Sequence, residues 1–196
     1  MEMIKRLFDI LFASLGLVLL SPILIIVAFL IKILTPGPVL FFQKRTGRYG
    51  IPFTIVKFRT MKVGKSENTI TVKGDSRVTD FGAILRRFKL DELPELWNVL
   101  IGDMSLVGPR PDTPEFTDRL QGNEKCILEL RPGITGPASL KYSNEEELLS
   151  KVVDPVKYTD EVIWPDKVKI NMEYFDNHGI IKDMALILKT ISNIFR

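Results

Sequence analysis

The sequence predicts an α+β fold, predominantly helical, with an N-terminal re-entrant membrane helix-break-helix, a small β-hairpin and amphipathic interfacial helices. Three observations predict it. Residues 10–31 carry no charge and hold Ser21-Pro22 at their centre; two strand-like runs flank a short basic turn; and apolar residues then recur at helical spacing in segment after segment. The implied division is residues 1–35 in the membrane and 36–196 as a cytoplasmic domain.

At 1.5 Å per residue the charge-free run makes roughly 33 Å of helix, enough to cross a hydrocarbon core. It is too long for a cleaved signal peptide, and Thr35-Pro36-Gly37-Pro38 lacks a small-x-small cleavage pattern. Pro22 removes a backbone donor and crowds the preceding turn, so a break is expected at Ser21-Pro22. Lys5 and Arg6 precede the run, while Lys32, Lys44, Arg45 and Arg48 follow it. Both flanks therefore qualify as cytoplasmic, which favours a helix that enters and leaves one face over a simple span. Asp9, at the polar edge, is expected to pair with Lys5 or Arg6 or to lie as an ordinary interfacial charge.

After the Thr35–Pro38 turn, Val39–Gln43 and Phe53–Met61 read as strands around the turn Lys44–Gly50. Alternation in the second run places Phe53, Ile55, Lys57 and Arg59 on one face. Residues 62–78 are polar and read as a surface loop. A helix is expected from Thr79 or Asp80 with Phe81, Ile84, Leu85 and Phe88 buried, then a second with Leu93, Leu96, Trp97 and Leu100. Asp91 occupies the natural N-cap of the second, and an acidic pair there has a plain structural explanation as a cap. Arg86 and Arg87 just before it, and Arg110 between two prolines after it, argue for an anion site in which Asp91 stays ionised.

Residues 144–176 read as acidic, partly helical segments broken near Pro155 and Pro165, with Trp164 and Tyr174 as packing or donor-pocket residues and His178 as a cap or surface residue. The final helix places Ile180, Met184, Ile187, Leu188, Ile191 and Phe195 on one face, against the domain, a partner protomer or the membrane. The chain has 196 residues and a formal net charge of +3. Residues 32–90 hold 13 Lys/Arg against 3 Asp/Glu, and residues 91–196 hold 12 against 19. A basic block beside an apolar segment suits anionic lipid or phosphorylated ligands; no basic helix with interleaved aromatics points to nucleic acid. The single Cys126 excludes an internal disulfide and a cysteine metal cluster.

The segment 86–111, with its run Leu90-Asp91-Glu92-Leu93-Pro94 and its Gly108-Pro109-Arg110-Pro111, resembles bacterial sugar transferases of the small monotopic phosphoglycosyl transferase family. Lys57-Phe58-Arg59-Thr60-Met61, Lys5-Arg6-Leu7-Phe8-Asp9, Ser21-Pro22 and Arg131-Pro132-Gly133-Ile134-Thr135-Gly136 extend the resemblance over residues 1–140. It implies transfer of a sugar-1-phosphate from a UDP-sugar to a polyprenol phosphate (undecaprenyl phosphate), releasing UMP, as the first membrane step of glycan assembly. The expected location is the cytoplasmic face of the bacterial inner membrane, with membrane lipid, downstream glycosyltransferases and a homo-oligomeric copy as further partners.

By the same resemblance Asp91 is the nucleophile that forms an aspartyl-phosphosugar and a ligand of Mg²⁺, and Glu92 is its acidic partner. Arg86 and Arg110 hold the donor phosphates, with Pro111, Lys57, Arg59 and Arg131 as further substrate-binding positions, and Ser21 and Pro22 form the membrane break. The family's common Trp-Ala-Gln-Val-Asn-Gly-Arg continuation is replaced here by Pro137-Ala138-Ser139-Leu140-Lys141-Tyr142, so no sugar specificity carries over. Two other classes stand beside the enzyme: a membrane-tethered lipid-binding adaptor in which the acids only cap a helix, and a polyprenyl-phosphate hydrolase.

Overall fold

The computed structural model describes residues 2–64 and 71–194. Helix α1 covers Glu2–Leu34, strands β1 (Leu40–Thr46) and β2 (Pro52–Phe58) form an antiparallel hairpin, and helices α2 (Asp80–Arg87) and α3 (Glu95–Ile101) flank a 3-10 turn at Leu90–Glu92. Strand β3 (Ser105–Val107) pairs in parallel with β4 (Gly133–Thr135), with the short helix α4 (Pro114–Thr117) and a 3-10 segment (Gly122–Glu129) between them. Helices α5 (Pro137–Lys141), α6 (Glu145–Leu149), α7 (Pro155–Tyr158), α8 (Trp164–Asn177) and α9 (Ile180–Ile194) complete the chain, with a π-helical turn at Thr159–Ile163.

The expected break at Ser21-Pro22 does not divide α1, which runs as one helix with Pro22 inside it. Proline leaves the carbonyl of Val18 without its usual donor four residues on. The Ser21 hydroxyl takes that place, donating to Val18 O at 2.7 Å. The helix is long and apolar enough to cross a membrane. Yet the domain holds both of its ends. Near the N-terminus the Lys5 ammonium donates to Asp183 Oδ2 at 2.5 Å and to Val107 O at 3.1 Å, and Arg6 donates to Val99 O and Leu100 O at 2.6 and 2.8 Å. At the other end Arg59 donates to the carbonyls of Pro36 and Thr35 at 2.7 and 2.9 Å. In between, Ala13, Leu17 and Leu20 pack on Phe53, Ile55, Leu96 and Val99, and Val27 and Ile31 pack on Phe58 and Leu85. Each such Val or Ile, fully buried, contributes about 1.5–3 kcal/mol.

Asp9 pairs with neither Lys5 nor Arg6 by hydrogen bond. It is buried and accepts from Ser105 Oγ and the Leu106 amide, both at 3.1 Å, which locks α1 to β3. The hairpin register places Leu40 opposite Phe58 and Thr46 opposite Pro52, so the basic residues Lys44 and Arg45 lie in β1 rather than in the turn. The turn itself spans 47–51, with Tyr49 in the left-handed region. Within 62–78, Met61 bridges Val78 and Arg77 pairs with Asp75; positions 65–70 lie outside the described residues.

Helix phase differs from the sequence pattern wherever the apolar arc is wider than one interface. In α2, capped by Thr79 through Gly82 N at 3.0 Å, Leu85 and Gly82 are buried while Ile84 and Phe88 face outward. In α3 the buried positions are Glu95, Leu96, Asn98 and Val99, and Trp97 is 52 % exposed. In α9 the packed positions are Asp183, Leu186 and Thr190, leaving Ile181, Met184, Leu188 and Ile191 exposed; Phe195 lies outside the described residues. Pro165 does not break the chain but sits in the first turn of α8, where a missing amide loses no bond. His178 contacts the Phe175 carbonyl at 2.7 Å, at the end of α8.

Candidate active site

The parallel pair β3–β4, which the sequence pattern did not predict, sets the position of Arg110. A Cβ on Gly133 would collide with the backbone of Gly108, and one on Gly136 with the Gly108 carbonyl, so only glycine lets these segments touch. Gly108 N then donates to Thr135 O at 2.9 Å, and Gly133 N to Pro109 O at 2.8 Å. Arg110 leaves this fixed point with its guanidinium 2.8 Å from Glu92 Oε1.

Asp91 is not a helix cap. It lies in the 3-10 turn, α3 begins four residues later, and Pro94 at the cap position makes no side-chain bond. Its Oδ1 is buried and has no hydrogen-bond partner among the described residues. Asp91 therefore makes no contribution that a structural cap would make, while an unpaired carboxylate oxygen is what a nucleophile or cation ligand requires.

Glu92 is buried beside it in a different setting. Its Oε1 receives Lys57 Nζ at 2.9 Å as well as Arg110. Lys57 Nζ also lies 2.9 Å from Oε1 of Glu95, a residue only 2 % exposed and not singled out by the sequence pattern. The hidden signal was phase: Glu95 falls four residues after Asp91, on the face of α3 that also buries Leu96 and Val99. Asn98, one turn further, fastens α3 to β2 by accepting from Val56 N at 3.0 Å and donating to Thr54 O at 2.8 Å.

These acids separate electrostatically. Burial pushes the Asp91 carboxyl up, Glu92 adds to the rise, and Lys57, Lys89 and Arg86 only partly oppose it. This reverses the expectation from a helix N-terminus, because burial outweighs the surrounding cations. Burial also acts on Glu92, but Arg110, Lys57 and Lys89 outweigh it and hold that carboxyl well below the usual range. Burial raises Glu95 to about 7 against the pull of Lys57. Glu92 in turn holds the Arg110 guanidinium firmly in its charged form.

Of the other expected positions, Arg86 stands at the end of α2, with Nε on Thr60 Oγ1 at 2.9 Å and Nη1 on Glu146 Oε1 at 2.8 Å, close enough to act on Asp91. Pro111 is buried, and its carbonyl accepts from Arg45 at 3.4 Å. Arg59 faces away, spending its guanidinium on the end of α1. Arg131 lies at the opposite end of α3 from Asp91, donating to Gly102 O at 3.0 Å beside the carbonyls that Arg6 binds. Two arginines thus cap the C-terminus of α3, where cations are favoured. Trp164 lines a cavity of about 30 Å³ together with Arg110, Asp112 and Asn171, room for about two waters. Tyr174 packs elsewhere, its hydroxyl donating to Asp183 Oδ1 at 2.6 Å.

Among the described residues no group of three His, Cys, Asp or Glu side chains could hold a metal by itself. That donor set suits Mg²⁺ only in its usual role with phosphates, where one or two carboxylates, waters and substrate oxygens complete the sphere.

The sequence also has relatives among known proteins. The chain is 36 % identical over 196 residues to the UDP-glucose:undecaprenyl-phosphate glucose-1-phosphate transferase of Escherichia coli (strain K12), covering 97 % of this chain and 40 % of that one. It is 34 % identical to the Caulobacter vibrioides protein of the same name, covering 97 % of this chain and 69 % of that one. It is 36 % identical to the exopolysaccharide production protein PSS of Rhizobium leguminosarum bv. phaseoli, covering 96 % and 93 %. The chain thus spans less than half of the Escherichia coli relative and nearly all of the Rhizobium one. The sequence profile described as bacterial sugar transferase matches residues 1–196, and with relatives of this identity and coverage the chain belongs to the bacterial sugar transferase family.

Proposed function

We propose that the protein is a phosphoglycosyl transferase that moves a sugar-1-phosphate from a UDP-sugar to a polyprenol phosphate, undecaprenyl phosphate by the names of its relatives. The observation that carries the reading is the buried, unpartnered Oδ1 of Asp91 set among Lys57, Lys89 and Arg86. Asp91 attacks the β-phosphorus of the donor; an O–P bond forms, the bond to the bridging oxygen breaks, and UMP leaves with that oxygen and its electron pair. A phosphate oxygen of the polyprenol phosphate then attacks the same phosphorus, releasing the Asp91 carboxylate. Dividing the transfer in this way lets a soluble donor and a lipid acceptor use one site in turn.

Arg86 and Arg110 bind the diphosphate, as guanidinium forks suit phosphate oxygens. Glu92, held ionised by Lys57 and Arg110, keeps those cations at the donor site. Asp91 is the residue here that would hold Mg²⁺ together with donor oxygens and water, and the ion would neutralise charge on the transferring phosphoryl group.

The proposed membrane placement takes its support from α1. Its N-terminal cations and the carbonyls just beyond its C-terminus are both bound to the one domain, which supports a placement with both ends on one side of the bilayer. A perpendicular span would carry Lys5 and Arg6 roughly 30 Å away across hydrocarbon. On the re-entrant reading α1 bends at Pro22 on entering one leaflet, and the Ser21 hydroxyl covers the carbonyl that Pro22 leaves open. The domain lies on the cytoplasmic face of the inner membrane, where UDP-sugars are made.

Detergent- or nanodisc-held protein, supplied with Mg²⁺, polyprenol phosphate and a panel of labelled UDP-sugars, tests the proposal. UMP release with a lipid-linked product is expected for at least one donor. Phosphate release without transfer indicates a hydrolase, and no turnover across the panel indicates an adaptor. Donor alone should add the mass of one phosphosugar to the chain, and an unmodified chain that still turns over would remove the covalent step.

A further inference from the structure

Lys57 is shared. Its Nζ donates a hydrogen bond to Glu92 Oε1 at 2.9 Å and lies at the same distance from Glu95 Oε1. That Glu95 oxygen is buried, and among the described residues its ion pair is with Lys57. Lys57 itself keeps 16 % of its side chain open to solvent, the exposure a ligand phosphate would use. Glu95 thus holds Lys57 chiefly by charge, and protonation of Glu95 weakens that hold.

We infer that Glu95 is a positioning residue for donor binding, competing with the UDP-sugar diphosphate for the ammonium of Lys57. The inference rests on the transferase reading of the same site. With Glu95 ionised, Lys57 is neutralised between two carboxylates; with Glu95 protonated, part of its charge is free for a phosphate oxygen. The charged groups that face Glu95 are Lys57 from β2, Glu92 from the 3-10 turn, Arg110 beyond β3 and Arg45 from β1. Burial, the largest influence, and Glu92 favour its protonation, Lys57 first and then the two arginines oppose it, and its titration falls at about 7. The UDP-sugar diphosphate carries no group that titrates there, so a change in donor KM near neutrality reports on the protein.

The experiment measures donor KM by UMP release from roughly pH 6 to pH 8.5, at saturating polyprenol phosphate, for the wild type and Glu95→Gln. Titration of the acceptor phosphate is common to both and cancels in their ratio. The expected KM ratio, wild type over variant, is near one at the acid end and rises to about tenfold at the alkaline end, the scale of one added charge near a bound diphosphate. A flat ratio, with both proteins folded by thermal melt, overturns the inference. In a Lys57→Met background, where no ammonium is left to share, Glu95→Gln should change donor KM less than twofold across the range; a surviving pH step would assign the effect to another group and equally overturn it. A wild type that releases no UMP would instead remove the transferase reading, and a charge-independent packing role for Glu95 would shift stability without a pH-dependent ratio.

Discussion

Arg110 approaches Glu92 to 2.8 Å, and each fixes the charge of the other: the guanidinium holds the carboxyl well below its usual range, and the carboxylate keeps the guanidinium charged. Arg110→Ala therefore removes a phosphate ligand and leaves Glu92 buried with Lys57 as its remaining ion-pair partner. The expected result is a loss of about 10²–10³ in kcat/KM for UMP release, the range seen when a preorganised charge-stabilising donor is removed. Arg110→Lys should recover only part of it, because an ammonium cannot reproduce the planar fork.

Arg110 also shows what the sequence could and could not reveal. The acids at 91–92 and the arginines at 86 and 110 were legible because charged residues clustered within 25 positions of apolar spacing rarely serve packing alone. Their division of labour was not legible. It depends on Lys57 arriving from β2 and on β3 pairing with β4, and tripeptide strands buried between glycines carry too little alternation to be read. Glu95 escaped for the opposite reason, being a charge on the buried face of a helix, where pattern analysis expects leucine. Helix faces matched only in part in α2, α3 and α9, where Leu85, Leu96 and Ile187 pack as expected, because the apolar arcs exceed the domain contact and an exposed apolar face has the same composition as a core.

Asp91→Asn separates activity from stability. Turnover is expected to fall by at least about 10³-fold, since an amide cannot form the acyl-phosphate bond. The fold should not suffer, because Oδ1 makes no hydrogen bond among the described residues and burial raises the native carboxyl. A carboxyl raised in the folded state binds its proton more tightly there than in the unfolded chain, so it costs stability as pH rises above the unfolded value of about 3.9. Removing the charge lifts that cost. Thermal melts at neutral pH should place Asp91→Asn at or above the wild type, and a markedly lower Tm would contradict the unpartnered carboxylate.

Arg59 provides the contrasting case. Its guanidinium makes three hydrogen bonds to Thr35 and Pro36 and is buried at the end of α1. Arg59→Met should cost about 1.5–3 kcal/mol in unfolding free energy, the range for hydrogen bonds to a charged group, and donor KM should change less than twofold. A large rise in donor KM with unchanged stability would instead return Arg59 to the phosphate site.

The membrane geometry can be tested at Met3, which is 79 % exposed on the first turn of α1 and close to the cations that bind the domain. Cys126 is the protein's own thiol, so Cys126→Ser is made first and checked for UMP release. In that background Met3→Cys should resist a membrane-impermeant thiol reagent in intact cells and react once the membrane is permeabilised. A cysteine at Lys44, beyond the other end of the helix, should behave identically. If Met3→Cys labels from outside while Lys44→Cys does not, α1 spans the bilayer, and the hydrogen bonds from Arg6 to α3 cannot form in the membrane. Shared protection of both sites puts both ends of α1 on one side of the bilayer. Pro22→Leu then supplies the discriminating variant: a straightened helix should shift Met3→Cys toward outside labelling and cost transfer to the lipid more than formation of the phosphosugar adduct. That split arises because only the acceptor step requires the domain to sit at headgroup depth.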